Sequence, residues 1–100
     1  MELRFEWDEK KNLVNIKKHG VAFDEAEKVF FDSEYYEMYD EIHSFYEKRW
    51  IIIGLAGFKI LKVFFTERNG IIRIISARKA DKYDEEVYFY GYGTKNSKFR

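Results

Sequence analysis

Arginines invite a chemical reading of this sequence first. The stretch GIIRIISARKADKYDEE, residues 70–86, sets Arg73 inside a run of isoleucines and places Arg78 and Lys79 just beyond it. A guanidinium stays charged and binds phosphate through two parallel donors, so both arginines are candidates for an anion site. Arg73 can equally pair with a carboxylate on a neighbouring strand. In a strand, an odd separation puts positions 73 and 78 on opposite faces unless a bulge or the strand's end intervenes. In EKRW, Glu47 and Arg49 stand at i and i+2 and so share a strand face. A carboxylate beside a guanidinium is either a base with its electrostatic partner or an ordinary ion pair, and the arginine weakens it as a base. His19, in KKHG, and His43, in a polar turn beside Ser44, are proton-transfer candidates because imidazole titrates near neutrality. His19 also fits the plainer role of a helix C-terminal residue favoured by the dipole.

Periodicity predicts the elements that position these groups. LRFEW (3–7) alternates as a half-buried strand. Asp8 is a helix N-cap for EKKNLVNIKKH, which Gly20 closes and whose apolar stripe is Leu13, Val14 and Ile16. Asp24 and Glu27 have capping-box spacing for a short second helix lined by Ala26, Val29 and Phe30. EYYEMYDE and KRWIIIGL read as strands around a turn region near residues 40–46. KILKVFFTE and IIRIISA read as two more, joined at Asn69-Gly70. Asp81 caps a last helix with Tyr83, Val87 and Tyr90 as its buried stripe, and residues 92–100 form a loose tail. The predicted fold is α+β: a small antiparallel meander of about five strands, two N-terminal helices and one C-terminal helix, with the helices toward one face. Residues 1–100 make a single domain.

Composition narrows the function classes. There is no cysteine, and the two histidines lack metal-binding spacing, so neither a metal nor another cofactor is expected. The net charge is zero, yet residues 1–58 carry 8 basic against 13 acidic side chains and residues 59–100 carry 10 against 5. Such asymmetry lets one face attract phosphate if the fold keeps the halves apart. No apolar run reaches the roughly 18 residues of a membrane span, and the N-terminus has no signal-peptide core. A cytoplasmic protein with no membrane partner is expected.

Three blocks in order, FEWDEKKNLVNIKKHGVAFDEAEKVFFD at 5–32, HSFYEKRWIIIG at 43–54 and FTERNGIIRIISARKA at 65–80, resemble the BrnT family of toxins. The resemblance covers about nine tenths of the chain. It implies a RelE-like ribonuclease fold, metal-independent endoribonuclease activity on RNA, and a cognate antitoxin. That antitoxin would be BrnA-like and DNA-binding, so that operator DNA is reached only through it. Two positions depart from the family pattern: Asp81 and Asp84 stand where Thr or Ser and then Glu are expected. Metal-free RNA cleavage needs a base for the 2′-hydroxyl, cations for the phosphorane and an acid for the leaving oxygen. Arg49, Arg73, Arg78, Glu47 and His19 are the candidate catalytic residues; Lys18, Arg68, Lys79 and Tyr88 are the candidate RNA contacts, with packing as the alternative role for Tyr88. The alternative function is a noncatalytic protein-binding module derived from such a toxin.

Overall fold

The computed structural model describes residues 2–91, so the tail expected over 92–100 lies outside the described residues. The elements run β1 (Phe5–Glu6), α1 (Glu9–His19), α2 (Phe23–Ala26), a 3-10 turn (Glu27–Phe31), β2 (Tyr36–Tyr39), β3 (Trp50–Ala56), β4 (Lys59–Arg68), β5 (Ile71–Lys79) and α3 (Lys82–Tyr90). The fold is α+β, as the order of periodic segments predicts.

The sheet is mixed rather than a pure antiparallel meander. Its order is β1-β5-β4-β3-β2. Strands β2 to β5 form the expected antiparallel run, but β1 lies parallel to β5 at the edge, Phe5 opposite Ile72 and Glu6 opposite Arg73. The helical excursion between β1 and β2 allows this arrangement, because a parallel neighbour cannot be reached by a tight turn. The helices also divide between the two faces. On one, Phe23, Ala26 and Val29 pack on Ile52, Leu61, Val63, Phe65 and Ile74. On the other, Val87 and Tyr88 of α3 pack on Tyr36, Ile51 and Ile53. Isoleucines 51 to 53 are buried in succession because both sides of β3 are covered. Gly54 is where the 3-10 turn presses closest: a Cβ there would stand 2.9 Å from Val29 Cγ1 and 3.1 Å from Asp32 Oδ2.

Helix α1 has the expected caps, Asp8 accepting from Lys10 N–H at 2.8 Å and Gly20 left-handed at φ 72°. What it buries differs from the expected stripe. Leu13, Val14 and Ile16 are exposed, and Asn15 is the buried residue. Past the two residues of β1, the outer edge of β5 has unmet backbone groups. Asn15 meets them, donating to Ala77 O at 2.8 Å and accepting from Ala77 N–H at 3.2 Å, while also donating to Val21 O at 2.8 Å. A second asparagine replaces the expected capping box of α2. Ala22 occupies the N-cap with no side-chain cap bond, and Phe23 N–H donates to Asn12 Oδ1 at 2.8 Å.

The buried face of α3 also differs from the expected Tyr83/Val87/Tyr90 stripe: Tyr83 and Tyr90 are exposed, and Asp84, Val87 and Tyr88 are buried. Tyr88 donates its hydroxyl to Asp32 Oδ2 at 2.6 Å, and Asp32 also accepts from Leu55 N–H at 2.8 Å, where β2 no longer pairs with β3. Burial, the bond to Asp32 and that carboxylate's charge push the Tyr88 phenol up from 10.0 to about 12. The fold favours the neutral phenol, so this contribution is complete below pH 10 and is lost as pH rises through about 12. Tyr88→Phe is expected to cost roughly 1.5–3 kcal/mol at neutral pH, the worth of a hydrogen bond to a charged group. It should also flatten the loss of stability between pH 10 and 12, as read by urea unfolding across that range.

Candidate active site

The odd spacing of Arg73 and Arg78 is resolved by a bulge. Phe65 pairs with Ile74 and Phe64 with Ser76, so Ile75 has no partner on β4 and the register shifts there. Arg73 then faces Thr66 and Arg78 faces Lys62. Positions 66 and 62 share a parity on β4, so the two arginines share a sheet face. The same register carries Ile51 opposite Phe64 and Ile53 opposite Lys62 on β3. This face thus has a middle row of Ile51, Phe64 and Ser76 and a row of Ile53, Lys62 and Arg78 beneath α3. Arg49, just before β3, lines a cavity with Phe64 and Ser76 of the middle row. Thr66 Oγ1 donates to Lys48 O at 2.7 Å and holds that end.

Glu47 and Arg49 precede β3 and lie in the loop rather than on a strand. They still meet, Arg49 Nη2 lying 3.5 Å from Glu47 Oε2. Arg68, a candidate RNA contact, clasps Glu47 through Nε at 3.3 Å and Nη2 at 3.1 and 3.2 Å. Desolvation pushes the Glu47 carboxyl up, but the hydrogen bond and charge of Arg68, then Arg49, outweigh it and leave the carboxyl below its usual value. Glu47 therefore has the geometry and electrostatics of an ion-pair anchor. Arg49 keeps an unmet donor: its Nε is buried with no hydrogen-bond partner.

Beside Arg49 stand Asp40, which no sequence pattern singled out, and His43, one of the two proton-transfer candidates. Asp40, 4% exposed, points Oδ2 at His43 Nδ1, 2.9 Å away. A carboxylate facing Nδ1 holds the hydrogen on that nitrogen and leaves Nε2 to exchange a proton. Ser44 locks the loop, its Oγ donating to Asp40 O at 2.5 Å and accepting from Arg49 N–H at 2.9 Å. Asp40, His43, Arg49, Phe64, Ile75 and Ser76 line one cavity of about 280 Å³. The available signal was the Asp-x-x-His spacing of DEIHS in a turn, which permits this contact.

Arg78 and the unanticipated Lys62 are tied to one buried carboxylate. Asp84, 1% exposed, lies 3.2 Å from Arg78 Nη1 and 3.2 Å from Lys62 Nζ. It also accepts from Asp81 N–H at 3.0 Å, while Asp81 accepts from Asp84 N–H at 2.8 Å, a reciprocal capping box. The shorter Asp thus satisfies the capping geometry here. Arg73 pairs with Glu6 of β1 at 3.3 Å, the neighbouring-strand partner that the sequence allowed. Lys79 pairs in register with Leu61 and so lies on the opposite face from Arg78. Tyr88, another candidate RNA contact, packs in the core with its hydroxyl on Asp32. Lys18 and His19 line a different cleft, between α1 and β5, and do not converge with Arg49.

Among the described residues no group of three or more His, Cys, Asp or Glu is placed to hold a metal ion, and no helix is long and apolar enough to cross a membrane. No curated protein matches the chain. Residues 7–84, however, match a family described as the ribonuclease toxin BrnT of type II toxin–antitoxin systems. With more than three quarters of its length inside that match, the chain belongs to the BrnT family of ribonuclease toxins.

Proposed function

We propose that this chain is a metal-independent endoribonuclease acting at the Arg49–His43 cavity. One observation carries the reading: an imidazole oriented by a buried carboxylate and a guanidinium with an unmet donor line the same cavity. In the proposed reaction, His43 Nε2 takes the proton of a 2′-hydroxyl as its oxygen attacks the adjacent phosphorus. The bond to the 5′-oxygen breaks, that oxygen takes a proton from solvent, and the products end in a 2′,3′-cyclic phosphate and a 5′-hydroxyl. Arg49 contacts the charged phosphorane, while Arg73 stays paired with Glu6. Arg78 and Lys62 act at one remove, holding α3 against the sheet through Asp84. The need for a 2′-hydroxyl excludes DNA as a substrate. Phe45 and Tyr46, highly exposed in the loop of His43 with rings 4.7 Å apart, suit stacking on unpaired bases.

Membership of the family brings a cognate antitoxin. That it is BrnA-like, covers this sheet face and reaches operator DNA, that the toxin acts in the cytoplasm, and that the fold is kin to RelE are parts of the same proposal. The test is cleavage of a short unpaired RNA in excess EDTA, with Arg49→Ala beside the parent. Cyclic-phosphate ends are expected, formed about 10²–10³-fold more slowly by the variant with an unchanged circular dichroism spectrum. Equal rates would remove Arg49 from the site. No cleavage of free RNA would favour a ribosome-bound substrate or a noncatalytic protein-binding module.

A further inference from the structure

The cleft between α1 and β5 has a volume of about 290 Å³, and Lys10, Lys11, Lys18 and His19 line it. Its floor is Ile75 and Ser76, which also form a wall of the Arg49–His43 cavity. The two cavities therefore share the bulge of β5 as a common wall. Lys10 and Lys18 lie on one ridge of α1, eight residues apart, and Lys11, Asn15 and His19 on the next. Asn15, bonded to both backbone groups of Ala77, keeps these ridges over the strand edge.

No carboxylate lines the cleft. Among the described residues the lysines in ion pairs are Lys59, with Glu25, and Lys62, with Asp84. Lys10, Lys11 and Lys18 are thus grouped in the cleft outside any ion pair, with the carboxylate of α1's cap, Asp8, bound to backbone N–H groups outside the lining. Like charges repel, and a concave wall focuses their potential, so the cleft is built to attract an anion. The wall it shares with the cavity proposed for the scissile phosphate places that anion beside the cleavage site.

We propose that the α1–β5 cleft is a second phosphate subsite, which holds single-stranded RNA on one flank of the cleavage site. The assignment rests on the endoribonuclease reading for its ligand, but binding can be measured without cleavage. The probe is a short unpaired 2′-O-methyl RNA, which keeps the phosphates and lacks the attacking hydroxyl. Its affinity would be measured by fluorescence anisotropy over a series of KCl concentrations, for the parent protein, for Lys10→Ala/Lys11→Ala/Lys18→Ala, and for Lys17→Ala/Lys28→Ala/Lys82→Ala as an equal charge change elsewhere. Alanine preserves helix propensity in α1. Three phosphate contacts on a single strand contribute about 2 to the slope of log affinity against log salt. The cleft variant is expected to lose that much slope, and the control variant to keep the parent's. An unchanged slope in the cleft variant would overturn the subsite and leave the cleft to an acidic protein partner. Equal losses in both variants would also overturn it, reducing the effect to net charge. Because the probe cannot be cut, failure here is distinct from failure of the cleavage test.

Discussion

Replacing His43 by alanine is expected to slow RNA cleavage by about 10²–10⁴-fold, the usual contribution of a positioned proton-transfer group, with little change in stability. The ring is more than half exposed, and its aromatic contact is an edge-on one with Phe64 at 6.2 Å, so its loss leaves no large cavity. Asp40→Asn tests the orienting role separately. An amide facing Nδ1 no longer favours a hydrogen on that nitrogen alone, so the tautomer with Nε2 free is no longer enforced. Cleavage should fall and its pH profile should change shape, which a purely structural role for Asp40 would not produce. If His43→Ala cut RNA at the parent rate, the base would lie elsewhere, and His19 at the neighbouring cleft would be the next to replace.

The largest effect on stability is expected from Asp84→Ala, a loss of about 3–4 kcal/mol measured by urea unfolding. Removing one member of a buried ion pair costs about 3–5 kcal/mol because the remaining charge is left uncompensated. Here Lys62 and Arg78 are 18% and 31% exposed and recover some hydration, which argues for the lower half of that range. The bond that Asp81 N–H donates to Asp84 is lost with it, within that figure, while Asp81 still caps the helix. For a domain with 5–15 kcal/mol in total, such a loss unfolds an appreciable fraction on warming. A double-mutant cycle on Arg78 and Asp84 should show a coupling of roughly 0.5–3 kcal/mol. No coupling would return Arg78 to the list of groups available to touch substrate.

The secondary structure was legible wherever a local rule suffices. Asp8, Gly20 and Asp81 cap as their types require, and Asn69-Gly70 turns the β4–β5 hairpin with both residues at positive φ. The alternation of residues 59 to 68 and the isoleucine-rich strands stand where periodicity puts them. Family membership was also legible, because it rests on residue types in order. Errors began where partners distant in sequence decide the outcome. Leu13, Val14 and Ile16 look like the buried stripe of α1, but the helix meets a strand edge, whose unmet amide and carbonyl select Asn15 instead.

The candidate site divides in the same way. By itself the sequence determined the inventory of arginines, lysines and histidines able to bind phosphate or move a proton, and the absence of any cysteine. The tertiary structure alone decided which of them are free to act. A single unpartnered residue, Ile75, brings Arg73 and Arg78 to one face, since side chains alternate and one extra residue reverses every position after it. Glu47 is occupied by Arg68, Arg73 by Glu6 and Arg78 by Asp84, whereas Asp40 and His43 meet beside Arg49. Coulombic attraction falls off with distance and strengthens on burial, so which charges neutralise one another depends on separations and burial that only the folded chain possesses.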